Sequence, residues 1–365
     1  MAENSGTWVV IAFIAIILLA GAYFFSFGGI TGNVALEGEN VVKLGWMGPL
    51  SGDAASYGES IKRGVELAID DSGLENIEIT FEDSQCDASA AVKAVNKLIS
   101  IDGVQTIIGE VCSGATLAAA PIAESSKVVL ISASSTSPDI TNAGDFIFRS
   151  VPSDALQGKF GAELVYNERH RKLAVLYSNE EYGLGFNNVL RENFQGEIVA
   201  SEAVERGSTD LRTQLTKIKD SGADAIYIIS NSPDTAAAAL RQIKELGINS
   251  AVFGSEGLKS PEIASLNAAE GLIVTSVSFG TDDFTRKHRE RYGIDPGPFA
   301  AQGYDAFIAI AMAIKKGAKT GEEIRDGLYE TRFQGVSGNI NFDTNGDVSG
   351  NYNVETLTNS KWVSQ

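Results

Sequence analysis

The sequence predicts an α/β protein of two doubly wound parallel-sheet lobes behind an N-terminal transmembrane helix. Three observations predict it. Short β-rich runs alternate with amphipathic helical stretches from Val41 onward, the pattern of parallel sheets covered on both faces. The alternation comes as two series within one chain. Ahead of both lies an uncharged run from Trp8 to Leu36.

The apolar run comes first in the chain. Its densest part, WVVIAFIAIILLAGAYFF, is long enough to cross a hydrocarbon core of about 30 Å as a helix. A short tail (1–7), an anchor or uncleaved signal (8–30) and a linker (31–40) are the expected divisions. The competing reading is a cleaved secretory signal, since Ala20-Gly21-Ala22 has the small-x-small form of a cleavage site. Against cleavage, the apolar run continues through Tyr23, Phe24, Phe25 and Phe27, and no basic residue precedes it. Neither flank carries Lys or Arg before Lys43, so the positive-inside rule sets no orientation.

In the first series VVKLGWMGPL reads as a strand. After the loop SGDAASYGES, the positions Ile61, Val65, Ala68 and Ile69 share one helical face. The strand ENIEITFED, the helix DASAAVKAVNKLIS, the strand VQTIIGEV, the helix ATLAAAPIAESS and the strand VVLISAS follow. A second series begins near Asp154 with the helix DALQGKFGAELVYNER. It continues through the strands KLAVLYS, EIVASEAV, AIYIISN, AVFGS and GLIVTSV, with helices between the earlier ones. The helices near 283–292 and 299–316, and then GEEIRDGLYETR, are too many to finish the second lobe alone. The chain is therefore expected to cross back near residue 280, giving one lobe from 41–153 and 281–338 and another from 154–280 and 339–365. FDTNGDVSGNYNVETL reads as a closing β-hairpin with Asn345-Gly346 at its turn.

Composition excludes several classes. With 365 residues, 44% of them hydrophobic and 21% charged, the chain can bury a sizeable core. A net charge of -18 without a basic stripe argues against nucleic acid as a partner. The two histidines, His170 and His288, lie in basic runs, and there is no CxxC, so a metal site is disfavoured. DTNGDVSGN lacks the glutamate that a calcium loop needs at its twelfth position. No GxSxG and no P-loop is found, and YGLGF has two of the three glycines of a dinucleotide fingerprint. No cofactor is expected, and the reading is a binder rather than an enzyme.

GPLSGDAASYGESIKRGVELAIDD, SASSTSPDIT and FIFRSVPSDALQG, with NEEYGLGF and FGSEGL, occur in fixed order. Together they resemble the marker segments of the periplasmic leucine/isoleucine/valine-binding family, the type I solute receptors of ABC transporters. The resemblance implies two lobes joined by three crossovers and closing on a small amino-acid-like ligand, with delivery to a permease that has separate ATPase subunits. A binding domain outside the cytoplasm, held at the cell membrane by the N-terminal helix, would fit that role. The alternatives are a ligand-sensing ectodomain for amino acids, amides or urea-like solutes, and an α/β enzyme acting on a small amino acid or amide.

Ligands of doubly wound sheets bind at loops beyond the strand carboxyl ends. GEVCSGAT offers Ser113, and SASSTSPD offers Ser134 and Thr136, positions that in the resembling family hold the ligand's α-carboxylate and part of its amino group. For loops of this kind in general, Ser and Thr serve as helix caps. Glu256 would answer the ligand ammonium, and Tyr57 and Tyr182, in glycine-bearing loops of opposite lobes, would wall its side chain. Asn231 stands where the branched-chain receptors have a tyrosine, which points to a more polar solute. Cys86 and Cys112 match the two points where that family has a disulfide; free buried thiols are the other possibility. A disulfide would imply an oxidising compartment.

Overall fold

The computed structural model describes residues 41–365. The tail, the apolar segment expected as an anchor and the linker all lie outside the described residues. Among the described residues, no helix is long and apolar enough to cross a membrane.

The first half opens with β1 (Val42–Gly48), α1 (Ala55–Ser72), β2 (Ile77–Asp83), α2 (Ala88–Lys97), β3 (Thr106–Ile108), α3 (Ser113–Ser126), β4 (Val129–Ser132) and β5 (Ile147–Arg149). Its five strands are parallel, in the order β2-β1-β3-β4-β5. The second half carries α4 (Asp154–Asn167), β6 (Lys172–Ser178), α5 (Glu181–Asn193), β7 (Glu197–Val204) and α6 (Arg212–Asp220). After them come β8 (Ala225–Ile229), α7 (Pro233–Glu245), β9 (Ala251–Gly254), the short helix α8 (Pro261–Ala264) and β10 (Ile273–Ser276). These strands are parallel in the order β7-β6-β8-β9-β10. Counted from its own first strand, each sheet has the doubly wound order 2-1-3-4-5, with its switch point between the first and third strands.

Burial follows from that layering. On β6, Leu173 and Val175 belong to one apolar cluster and Ala174 and Leu176 to another, so both faces of the sheet are covered. Strand β8 is buried at every position, which is why AIYII reads as an unbroken apolar run rather than an alternation.

The chain then returns to the first half with α9 (Asp282–Tyr292), α10 (Ala300–Lys315) and α11 (Gly321–Glu330). Phe307 and Ile310 of α10 join the same core as Ile61 and Val65 of α1. The approach is backbone to backbone: a Cβ at Gly64 would lie 2.0 Å from the Ala300 carbonyl oxygen, so only glycine fits. Strands β11 (Arg332–Gln334) and β12 (Asn339–Asn341) form a small antiparallel pair. Finally, β13 (Asn353–Thr358) and β14 (Lys361–Ser364) add antiparallel strands to the second sheet beyond β10.

The closing hairpin differs from the sequence expectation. A tight turn does form at Asn345-Gly346: Phe342 bridges Val348, Asp343 N–H donates to the Asp347 carbonyl at 2.8 Å, and Gly346 has φ of 74°. The paired hairpin, β13 with β14, comes later and turns at Asn359 and Ser360, with φ of 51° and 59°. Two successive left-handed residues suit a hairpin turn, but without a glycine the pair gives no turn signal in the sequence.

Segments 150–153, 277–281 and 342–352 carry the chain between the two sheets. Arg149, fully buried, ties the first of these to the third. Its Nε and Nη2 donate to the Asp347 carboxylate at 2.5 and 2.8 Å, and its Nη1 donates to the carbonyls of Thr136 and Ser137 at 3.1 and 2.9 Å. The acidic turn whose spacing superficially matches a calcium loop thus serves as the partner of a buried guanidinium.

Candidate ligand-binding site

Both switch points face one chamber. On the first sheet, Tyr57 follows β1 and Ser113 follows β3; on the second, Tyr182 follows β6 and Asn231 follows β8. Tyr57, Ser113, Ser134, Tyr182, Asn231 and Glu256 all line this chamber, together with Val111, Cys112, Gly257 and Phe299. The space open to the centre of a water molecule is about 30 Å³, so the two walls are closely apposed.

Thr136 is the one predicted residue outside the chamber wall. It is fully buried, its carbonyl accepts from the Asp154 N–H at 2.8 Å, and its hydroxyl is beside the Asp154 carboxylate without the geometry of a hydrogen bond. The loop after β4 turns this side chain toward Asp154, just past the first crossing between the sheets, and Arg149 at the end of β5 also holds the Thr136 carbonyl.

The wall on the first half is a helix start. Ser113 is the first residue of α3, and the preceding Cys112 supplies no side-chain cap. Unpaired first-turn N–H groups and the helix dipole suit an anion there. The Ser113 Oγ accepts from Ser137 N–H at 3.2 Å, and the Ser134 Oγ donates to the Val111 carbonyl at 2.8 Å. These hydroxyls stitch adjacent loops together; neither caps its own helix.

The opposite wall carries a carboxylate, Glu256. Glu256 follows β9 in a single 3-10 turn, is 4% exposed, and accepts from Gln157 Nε2 at 2.6 Å. Burial pushes its carboxyl up to about 7. Behind this wall, Asp154, at the start of α4, is fully buried, and neither carboxylate oxygen has a hydrogen-bond partner among the described residues. Burial, and then the charge of Glu256, push its carboxyl well above the usual range. Two such acids in a dry site resist ionising together and share their titration. Tyr182 donates to Ser255 Oγ at 2.8 Å beside Glu256, and Tyr57 donates to the Gly257 carbonyl at 2.8 Å.

Asp154, Gln157 and Phe299 were not singled out from the sequence. Asp154 and Gln157 lie inside the segment FIFRSVPSDALQG, which was the available signal. Phe299 had none: it begins α10 with a left-handed φ of 63°. Cys86 and Cys112 are joined as a disulfide with Cα atoms 5.4 Å apart, so of the two readings of this pair the bridge is the one the structure has.

The periplasmic binding protein family matches residues 41–360. This chain belongs to the periplasmic binding protein family. The match bears out the resemblance read from the marker segments, and membership makes the chain a solute-binding protein rather than an enzyme. The binding domain is extracytoplasmic, consistent with its disulfide.

A family member from Pseudomonas aeruginosa, a leucine-, isoleucine-, valine-, threonine- and alanine-binding protein, is 28% identical over 332 residues, covering 85% of this chain and 87% of its own. Among solved structures, a leucine binding protein from Thermotoga maritima superposes with a TM-score of 0.83 at 29% identity, covering 89% of this chain and 98% of that one. A branched-chain amino acid transporter substrate binding protein from Streptococcus pneumoniae, in complex with isoleucine, gives 0.82 at 30% identity, covering 89% and 100%.

Proposed function

We propose that this periplasmic binding protein captures a small zwitterionic amino acid in the chamber and delivers it to an ABC permease with separate ATPase subunits. The observation that carries this reading is the polarity of one shared space, with the uncapped start of α3 at Ser113 on one wall and the buried carboxylate of Glu256 on the other. The ligand carboxylate meets Ser113 and the first N–H groups of α3, with Ser134 on the adjoining loop. The ammonium meets Glu256, which a buried acid needs as a counter-charge. Tyr57 and Tyr182 enclose the side chain, and Asn231 faces its far end. The amino acids named for the Pseudomonas and Streptococcus relatives support this class of ligand.

Residues 41–153 with 281–338, and 154–280 with 339–365, act as two bodies that close by hinge motion at the three crossings, stabilised by contacts the ligand makes with both. The uncharged segment at 8–30 tethers the receptor at the membrane and raises its local concentration near the permease. Titration calorimetry and thermal-shift screening of the full-length chain against amino acids, amides and urea test the reading. At least one zwitterionic amino acid should bind and stabilise; a flat response to all of them rules out the amino-acid assignment.

A further inference from the structure

A second cavity lies beside the chamber, with Tyr57 common to both walls. The space open to the centre of a water molecule is about 660 Å³, within the range of small-molecule sites and far beyond what one or two ordered waters fill. The first half lines it with residues of α1 between Ala55 and Arg63 and with the turn 294–298. The second half lines it with residues 259–264 and with Trp362 of β14, and Phe279 comes from the second crossing segment.

The lining is mostly apolar and flat. It includes the rings of Tyr57, Phe279 and Trp362 and the prolines Pro261, Pro296 and Pro298, surfaces that suit a planar aromatic molecule. Its charges are nearly all answered from within the protein. Lys259 is buried, with its Nζ 2.5 Å from the Glu355 carboxylate. Arg63 lies 3.9 Å from Glu59, and Asp295 lies 2.5 Å from Arg289. Glu262, exposed on α8, has no ion pair among the described residues. The charge left for an occupant to meet is therefore negative. The same lining already holds one cation on a ring face, since the Lys259 Nζ is 3.8 Å from the Phe279 ring centroid.

We propose that this cavity is a second binding site, distinct from the chamber, for a small aromatic molecule that carries a positive charge. The aromatic body packs among Tyr57, Phe279 and Trp362, and the cation answers Glu262. Because both halves line the cavity, an occupant favours their closed arrangement. The inference goes beyond the amino-acid reading and does not depend on it.

Calorimetry on the full-length chain at neutral pH tests it with three probes of one ring system, tryptamine, indole and indole-3-acetate. Tryptamine should bind roughly three- to thirtyfold tighter than indole, and indole-3-acetate more weakly than either. Trp362→Ala should weaken tryptamine about tenfold. Glu262→Gln, at an exposed position that leaves the fold undisturbed, should bring tryptamine and indole closer to equal affinity. Tryptamine lodged in the chamber against Glu256 would ignore both changes, and affinity that survives them overturns the proposal. Binding of indole-3-acetate at least as tight as that of tryptamine, or no binding by any of the three probes, overturns it as well. None of these outcomes decides the amino-acid reading, whose own screen is separate.

Discussion

The hydroxyl of Tyr57 donates to the carbonyl oxygen of Gly257 at 2.8 Å, across 200 positions of sequence and across the cleft between the two sheets. Nearby, Arg206 Nη1 donates to the Cys86 carbonyl at 3.0 Å, and its Nε is 3.4 Å from an Asp53 carboxylate oxygen. Closure is therefore held by protein contacts as well as by anything in the chamber.

Tyr57→Phe removes one of those bonds while keeping the ring that packs near Phe299. A buried neutral hydrogen bond contributes about 0.5–1.5 kcal/mol. Ligand affinity measured by calorimetry should fall roughly three- to tenfold, with little change in melting temperature without ligand.

Glu256 gives a pH signature. Its carboxyl is pushed up to about 7 by burial, and a ligand ammonium favours the ionised form. Affinity for a zwitterionic amino acid should decline as pH drops below 7, by up to about tenfold per unit, and Glu256→Gln should bind weakly at all pH values. The stability of the ligand-free protein runs the other way. A folded-state value above the ordinary 4.5 means the native state holds the proton more tightly, so this contribution is complete below about 4.5 and is lost as pH rises through 7. Thermal melts from pH 5 to 8 should slope downward, less steeply in Glu256→Gln. Glu110 and Glu180, also raised to about 7 by burial, keep part of the slope in that variant.

Arg149 and Asp347 form a nearly dry pair, the arginine 0% and the aspartate side chain 13% exposed. Removing one member of such a pair strands the other and costs about 3–5 kcal/mol. Arg149→Leu should lower the denaturation midpoint by a corresponding amount. Replacing a residue of similar burial without a charged partner, such as Ile140→Val, should cost only about 1 kcal/mol.

The Cys86–Cys112 bridge closes a loop of separation 26, worth about 3 kcal/mol in the loop-entropy picture. Reduction, or the Cys86→Ser/Cys112→Ser double variant, should lower stability by that order in chemical denaturation. Because Cys112 is also part of the chamber wall and Arg206 holds the Cys86 carbonyl, ligand affinity should drop as well.

The two strand-helix series were legible because parallel strands covered on both faces leave unbroken apolar runs, such as TII and AIYII, between amphipathic helices. The chamber residues that follow strands, Ser113, Tyr182, Asn231 and Glu256, were legible because a doubly wound sheet directs those loops to one edge and the family resemblance marks the positions within them. Asp154 and Phe299 were less so. Asp154 opens α4 behind the wall and Phe299 caps α10 within it, each just after the chain has crossed between sheets or turned back, so its place depends on how the halves meet, which no local periodicity encodes. Thr136 shows the converse, a residue of suitable type in a suitable loop whose side chain is drawn behind the wall beside Asp154.

The return of α9, α10 and α11 to the first sheet has a consequence for biosynthesis. On a translating ribosome, Ile61 and Val65 emerge long before Phe307 and Ile310, the partners that share their core. In between, the second sheet's parallel strands must be made and stacked. The nascent first half therefore spends most of its synthesis with an oily helix flank uncovered, which is where a chaperone holding the growing polypeptide would bind.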